Sequence, residues 1–368
     1  MKKRTINFAN WINPIHMIRR KRNASVKFYL RILGFIILIA GVIMAFRIYD
    51  KIYGPNIDLK EKDTAHIHIP TGSNMEDVIH TLDTSKVIEN LSEFKWLAEK
   101  KNYPSHVHPG RYLIENGMSN NALINLLRSG EQDPVGLVFS NIRRKEELAA
   151  VASRQIEADS ANILQLLNDK EYLKQYDVTP QTVSALFIPN TYEFYWNTSA
   201  REFIERMHKE FQRFWDKEKK LKAEKIGLNP VEVTTMASIV EEESTRSEEM
   251  PRIAGVYINR LERGMRLQAD PTIKFAIGDF SVNRILDKQL KTDSPYNTYK
   301  YTGLPPGPIS FPHIAAIEAV LNYEEHDYLY FAAKPDLSGY HNFSKTHNQH
   351  IRNAKKYQEA LNQKKIMK

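Results

Sequence analysis

The hydrophobic positions of this chain fall into three regimes. Ile32 to Phe46 is a run of fifteen residues without a polar side chain. It is short for a membrane crossing, which needs about 20 residues. Counting from Phe28 to Tyr49 gives 22 residues, with Arg31 and Arg47 reaching the two interfaces and Tyr29 and Tyr49 anchoring there. The pattern predicts a transmembrane helix over 28–49. A cleaved signal peptide is the competing reading, but the stretch before the run is long and no small-residue cleavage site follows Phe46.

Beyond it the pattern changes to short alternating and helical segments. Residues 50–63 are polar and read as a stalk. His66–Ile69 alternates and runs into Pro70-Thr71-Gly72, a strand ending in a turn. Met75–Leu82 and Ser92–Lys101 carry helical spacing, with Ser73 or Asn74 as a cap for the first. Gly110–Ile114 predicts a second strand, and Ser119–Arg128 a helix closed by Gly130. This α+β unit over 64–135 is similar to a LysM module, a class that binds glycans. A packing unit without a ligand fits the same pattern equally well.

The third regime, 136–368, is mixed α+β. Residues 142–225 are mostly helical and charged, interrupted by the aromatic stretch Leu186–Trp196. That stretch could line a sugar-binding groove or simply fill the core. Asn229-Pro230-Val231-Glu232 is a strong helix start, because Asn suits the cap, Pro the first turn and Glu the third position. The helix ends on Glu241, Glu242 and Glu243. Acids are unfavourable at a helix C-terminus, so a run of three there suggests a use. On a helical wheel Glu243 falls beside Met236 on the apolar face, Glu242 points to water and Glu241 lies at the margin. An apolar setting raises a carboxyl pKa and suits Glu243 to general acid catalysis.

Composition narrows the function further. The chain has 368 residues, no cysteine and a formal net charge of +8. Cysteine-based zinc, redox and disulfide chemistry are excluded. Residues 1–27 hold eight of the 52 bases and no acid, leaving 44 bases against 44 acids in the rest. The folded part therefore gives no support for nucleic-acid binding. The same tail makes 1–27 cytoplasmic by the positive-inside rule and places the bulk of the chain outside the cytoplasmic membrane.

Four ordered motifs carry a family resemblance. Met236-Ala237-Ser238-Ile239-Val240-Glu241-Glu242-Glu243 resembles the ASI(I/V)E-x-E motif of YceG-like endolytic murein transglycosylases. Val256–Leu261 with Gly264–Thr272, Ser294–Tyr299 with Gly303–Ile309, and His341-Asn342-Phe343 with His347-Asn348 resemble the family's later motifs in the same order. Asn190 and Ala269 depart from the family pattern. The resemblance implies cleavage of the MurNAc–GlcNAc β-1,4 bond in nascent peptidoglycan strands, giving 1,6-anhydroMurNAc ends and terminating strand growth. It implies Glu243 as the catalytic residue and no metal or organic cofactor. Implied partners are glycan strands, the inner membrane and peptidoglycan synthases.

Ser244 echoes the hydroxyl that orients Glu in other lytic transglycosylases. Glu241, Asn259, Gln268, Asp270, Tyr296, Asn297 and Tyr299 are suited to binding sugar hydroxyls or rings. Two other classes stay open: a muramidase-type hydrolase using Glu243 and Asp270, and a non-enzymatic wall-binding scaffold.

Overall fold

The computed structural model describes residues 15–244, 246–282 and 285–363. The first fourteen residues of the basic tail lie outside them. The chain is α+β and divides into two compact units, Met1–Gln132 and Asp133–Lys368.

The first unit opens on helix α1 (Ile15–Tyr53). Its segment Val26–Tyr53 is long and apolar enough to cross a membrane, and its most apolar stretch is exposed, while Ile52 near its end packs on the core of the first unit. The strand–helix–helix–strand order expected next is present, as β1 (Thr64–Ile69), α2 (Met75–Ser85), α3 (Leu91–Lys100) and β2 (Gly110–Glu115), followed by α4 (Asn120–Ser129). β1 and β2 pair antiparallel, with Thr64 opposite Glu115 and Ile69 opposite Gly110. Their inward residues join Val78, Leu82, Phe94, Leu123 and Leu127 in one core.

The stalk expected over 50–63 is not one. The helix runs on to Tyr53, and Ile57 and Leu59 are buried in the same core. Asn56 supplies the reason. It is buried and hydrogen-bonded, its Oδ1 accepting from Asn90 N–H at 2.8 Å and its Nδ2 donating to Asn120 Oδ1 at 2.6 Å. Polar residues here are internal connectors, which a hydropathy pattern reads as solvent-facing.

The second unit contains β3 (Val135–Val138), α5 (Lys145–Ala152), α6 (Ser160–Asn168), α7 (Lys170–Leu173), β4 (Thr191–Phe194), α8 (Ala200–Phe214), α9 (Lys217–Lys225), α10 (Pro230–Glu243), α11 (Met250–Glu262), α12 (Asp270–Ile277), α13 (Asp287–Leu290), α14 (Ile314–Leu321), β5 (Tyr330–Ala333), β6 (His341–Ser344) and α15 (His347–Gln363). β3 pairs with β4 and β5 with β6, both antiparallel. Leu186, Phe187, Ile188, Tyr192 and Phe194 are all buried, so the aromatic stretch 186–196 is largely core.

Helix α10 is the axis of this unit. Asn229 Oδ1 accepts from the N–H of Val231 and Glu232, and Glu232 Oε2 accepts from Asn229 N–H at 2.8 Å. This capping box, with Pro230 in the first turn, fixes where the helix starts. The helix is not amphipathic. Every residue from Val233 to Val240 is buried, because neighbours pack around it on several sides. Its hydroxyls are satisfied internally, with Thr234 donating to Pro230 O and Thr235 to Val231 O. The wheel's water-facing side does not exist here.

Candidate active site

The last three residues of α10 point about 100° apart in turn, and each carboxylate meets a different partner. Glu241 Oε2 accepts from the His313 N–H at 3.1 Å, and its Oε1 lies 2.8 Å from His313 Nδ1. Glu242, expected to face water, is instead partly buried and takes a bidentate contact from Arg143, at 3.2 Å from Nε and 2.9 Å from Nη2. Glu243 accepts a hydrogen bond from Tyr257 Oη at 2.8 Å.

Only Glu243 of the three opens into a cavity of about 470 Å³. The cavity is lined also by Tyr257 and Arg260 of α11, Gln268 and Asp270, Tyr299, the β5 residues Tyr330 to Ala333, and His341, His347 and His350. Glu243 is half-buried on its wall. Loss of solvation pushes its pKa up to about 7. The Tyr257 hydrogen bond works against that rise, the Asp270 charge adds to it, and Arg260 and Lys274 oppose it. The phenol of Tyr257 is itself pushed well up by burial and by Glu243, so it remains a donor.

The other wall residues are placed by short-range geometry. Gln268 holds a left-handed φ of 51°, unusual for a residue with a Cβ. Its N–H donates to Thr298 O at 3.1 Å, which pins that turn. Asp270 begins α12 and accepts from Tyr299 Oη at 2.5 Å. Burial and then the Asp270 charge raise the Tyr299 pKa. His341 is held from behind by buried Glu249, whose carboxylate accepts from its N–H at 3.0 Å and lies 2.9 Å from its Nδ1. Among the described residues no group of three or more His, Asp or Glu is placed to hold a metal.

The structure thus brings Glu243, Gln268, Asp270 and Tyr299 together, and leaves the other expected residues outside. Glu241 and Ser244 line a separate cavity of about 630 Å³. Ser244 does not orient Glu243; its Oγ accepts from Arg246 N–H at 3.0 Å. Asn259 ties α11 to the following segment, with Nδ2 donating to His326 O at 2.6 Å and Tyr328 O at 3.0 Å. Asn297 is fully buried and builds a turn, donating to Leu290 O and Thr292 O and accepting from Tyr299 N–H. Tyr296 packs on Phe275 with ring centroids 4.7 Å apart.

Sequence reasoning missed Tyr257, the residue that does hold Glu243. The signal was available: a tyrosine on the apolar face of a helix must find a partner for its hydroxyl. It also missed Arg260, which is buried and held by the backbone carbonyls of Leu329 and Leu267.

Glu243, a carboxyl that keeps a proton near neutral pH, shares a polar and aromatic cavity wall with Asp270, an arrangement suited to glycoside cleavage on an α+β unit. The YceG-like family model matches residues 67–356, and the chain belongs to that family. It is 31% identical over 334 residues to an endolytic murein transglycosylase of Bacillus subtilis (strain 168), covering 86% of this chain and 91% of that one. It is 29% identical over 316 residues to the protein of the same name from Streptococcus pneumoniae serotype 2 (strain D39 / NCTC 7466), spanning 55% of that relative's length. A crystal structure of a YceG-like protein from Listeria monocytogenes superposes with a TM-score of 0.52 at 31% identity, over 79% of this chain and 99% of that one.

Proposed function

We propose that this protein is an endolytic peptidoglycan lytic transglycosylase with Glu243 as its acid and base. The observation that carries the reading is the half-buried Glu243, held by Tyr257 in the cavity with a pKa of about 7. At neutral pH a large fraction carries a proton. That proton passes to the glycosidic oxygen as the bond from MurNAc C1 to the GlcNAc oxygen breaks. The MurNAc C6 oxygen then closes on C1, and its proton returns to the Glu243 carboxylate. The protons balance, no water is consumed, and the product carries a 1,6-anhydro ring. An intramolecular nucleophile needs no second carboxylate to position it.

Tyr257 holds the Oε1 edge of the carboxylate. Oε2 has no hydrogen-bond partner among the described residues and is the oxygen free to exchange the proton. Gln268, Asp270 and Tyr299 are assigned to the sugar hydroxyls.

One observation favours a second reading. Asp270 lines the same cavity, so a hydrolase with Asp270 as second carboxylate is geometrically available. Mass spectrometry of peptidoglycan digested by the purified protein separates the two. Anhydro ends, one water lighter, support the transglycosylase, and reducing MurNAc ends reject it.

The apolar helix is compatible with a single-pass anchor. The basic tail supports a cytoplasmic N-terminus, with both folded units outside the inner membrane and near the synthases that extend glycan strands. Protease added to spheroplasts should digest those units; their survival would reject the orientation. We assign the first unit to glycan positioning rather than chemistry.

A further inference from the structure

Arg260 is a buried cation that, among the described residues, touches no carboxylate, although Glu243 shares its cavity and feels its charge. It is 7% exposed, lies on α11 three residues beyond Tyr257, and lines the cavity of Glu243. Its Nε donates to Leu329 O and its Nη1 to Leu267 O, each at 2.6 Å. Those carbonyls satisfy N–H groups but supply no charge. Among the described residues no carboxylate forms an ion pair with it, and its Nη2 makes no hydrogen bond. Buried charge is costly when unpaired, so the arrangement calls for an acceptor from outside the chain.

An unmatched atom lies on the same wall. His350 Nδ1 is buried and has no hydrogen-bond partner among the described residues. Tyr330 links the two residues. Its ring stacks on His350 at a centroid distance of 5.4 Å, and the Arg260 guanidinium lies 5.1 Å from the same ring. Buried polar atoms are rarely left unmatched. One such atom, next to a guanidinium whose Nη2 edge is unused and which lines the same cavity as Glu243, makes a subsite for an oxygen-rich group.

We propose that Arg260 and His350 hold the 3-O-lactyl group of the N-acetylmuramoyl residue whose glycosidic bond Glu243 cleaves. The proposal rests on the transglycosylase reading for its substrate. Both sugars of the strand carry an N-acetyl group, so that group cannot select one from the other. The lactyl ether is the difference between them. Its carbonyl or carboxylate oxygens match a guanidinium fork, and O3 is close enough to C1 on the ring to share one cavity. Burial and the neighbouring Arg260 charge push the His350 pKa down. Its ring is therefore neutral at neutral pH, with one N–H to donate.

The test uses the full chain carrying Glu243→Gln, so that ligands bind without turnover. A MurNAc-containing tetrasaccharide and chitotetraose are titrated by calorimetry. The muramyl ligand should bind about tenfold tighter or more, the worth of a hydrogen bond to a charged group. Adding His350→Phe, which keeps the stack on Tyr330, should erase most of that preference by weakening the muramyl ligand alone. Arg260→Lys should do the same. If Arg260→Lys disturbs the fold by losing its carbonyl contacts, His350→Phe decides. Equal weakening of both ligands, or a preserved preference, overturns the subsite. Because binding is read without turnover, this holds even if wild-type products carry hydrated ends, which would sink only the reaction assigned above.

Discussion

Glu243 and Tyr257 are joined by a hydrogen bond, and their coupling has a sign. The phenol donates to the carboxylate and so lowers the Glu243 pKa against the rise that burial causes. Tyr257→Phe removes that bond. The Glu243 pKa should rise, and the alkaline limb of kcat/KM, set by loss of the Glu243 proton, should move to higher pH. A limb that stays in place would separate Tyr257 from the acid. With Glu243 serving both half-reactions as proposed, Glu243→Gln should cost about 10²–10⁴-fold in cleavage or more.

The same shift has a stability consequence. A carboxyl whose pKa rises from 4.5 unfolded to about 7 folded binds its proton more tightly when folded. The stability this gives is fully present below 4.5 and is lost as pH rises through about 7. The loss is at most about 3 kcal/mol, and less because solvent reaches the group through the cavity. Glu243→Gln cannot ionise. Its melting temperature relative to wild type should therefore be higher at pH 8 than at pH 4.5. A difference that does not change with pH would mean that Glu243 is well solvated.

At the scale of elements, α10 shows what a sequence discloses and what it withholds. Its start was legible because the capping box is local, three residues from cap to glutamate. The position of Glu243 was legible because the motif around it is contiguous. The environments of Glu241 and Glu242 were not. Their partners, His313 and Arg143, are 72 and 99 residues away in the chain. A wheel assumes one wet side, and α10 has none over its buried stretch. Glu242→Gln, silent on the wheel, should instead weaken the contact to Arg143 and lower stability by up to about 1 kcal/mol, as for a partly exposed pair.

Two packing contacts allow sharper tests. Ser238 Oγ donates to Thr235 O and accepts from Ile309 N–H at 3.0 Å, all of it buried. Ser238→Ala strands that N–H and should cost about 1–3 kcal/mol in urea unfolding. A Cβ at Gly255 would lie 2.4 Å from Glu324 O. Gly255→Ala should destabilise by about 1–3 kcal/mol through overpacking. It should also reduce cleavage, because Tyr257 is two residues further along the displaced helix. Unchanged unfolding midpoints would contradict the packing described.

Among the described residues the first unit has one hydrophobic core and the second unit has two. Ile57 to Leu127 form one, and the other two use only residues from Val135 onward. The fragment 133–368 should therefore unfold cooperatively by itself and retain cleavage of soluble glycan strands. Cleavage by the fragment 1–132 would overturn the assignment of chemistry. The basic tail and apolar run were legible because charge and hydropathy act through composition, without long-range pairing. The polar connector at 54–63 was not, since burial of Asn56 depends on Asn90 and Asn120.

The union of α1 with the first unit sets a distance. Asn120 Nδ2 donates to Lys51 O at 3.0 Å, Lys51 Nζ lies 4.5 Å from the Trp96 ring centre, and Asn56 and Ile57 both donate to Met118 O at 3.1 Å. No slack tether separates the apolar helix from the module it carries. In a bilayer the helix would act as a ruler, holding that module at one height above the lipid. With the proposed orientation and glycan role, glycan lying farther out in the wall would be beyond its reach, whatever its chemical suitability. Inserting four helical residues after Tyr49 lifts the module by about 6 Å, and if the module contacts the wall as proposed, the layer it touches should shift outward with it.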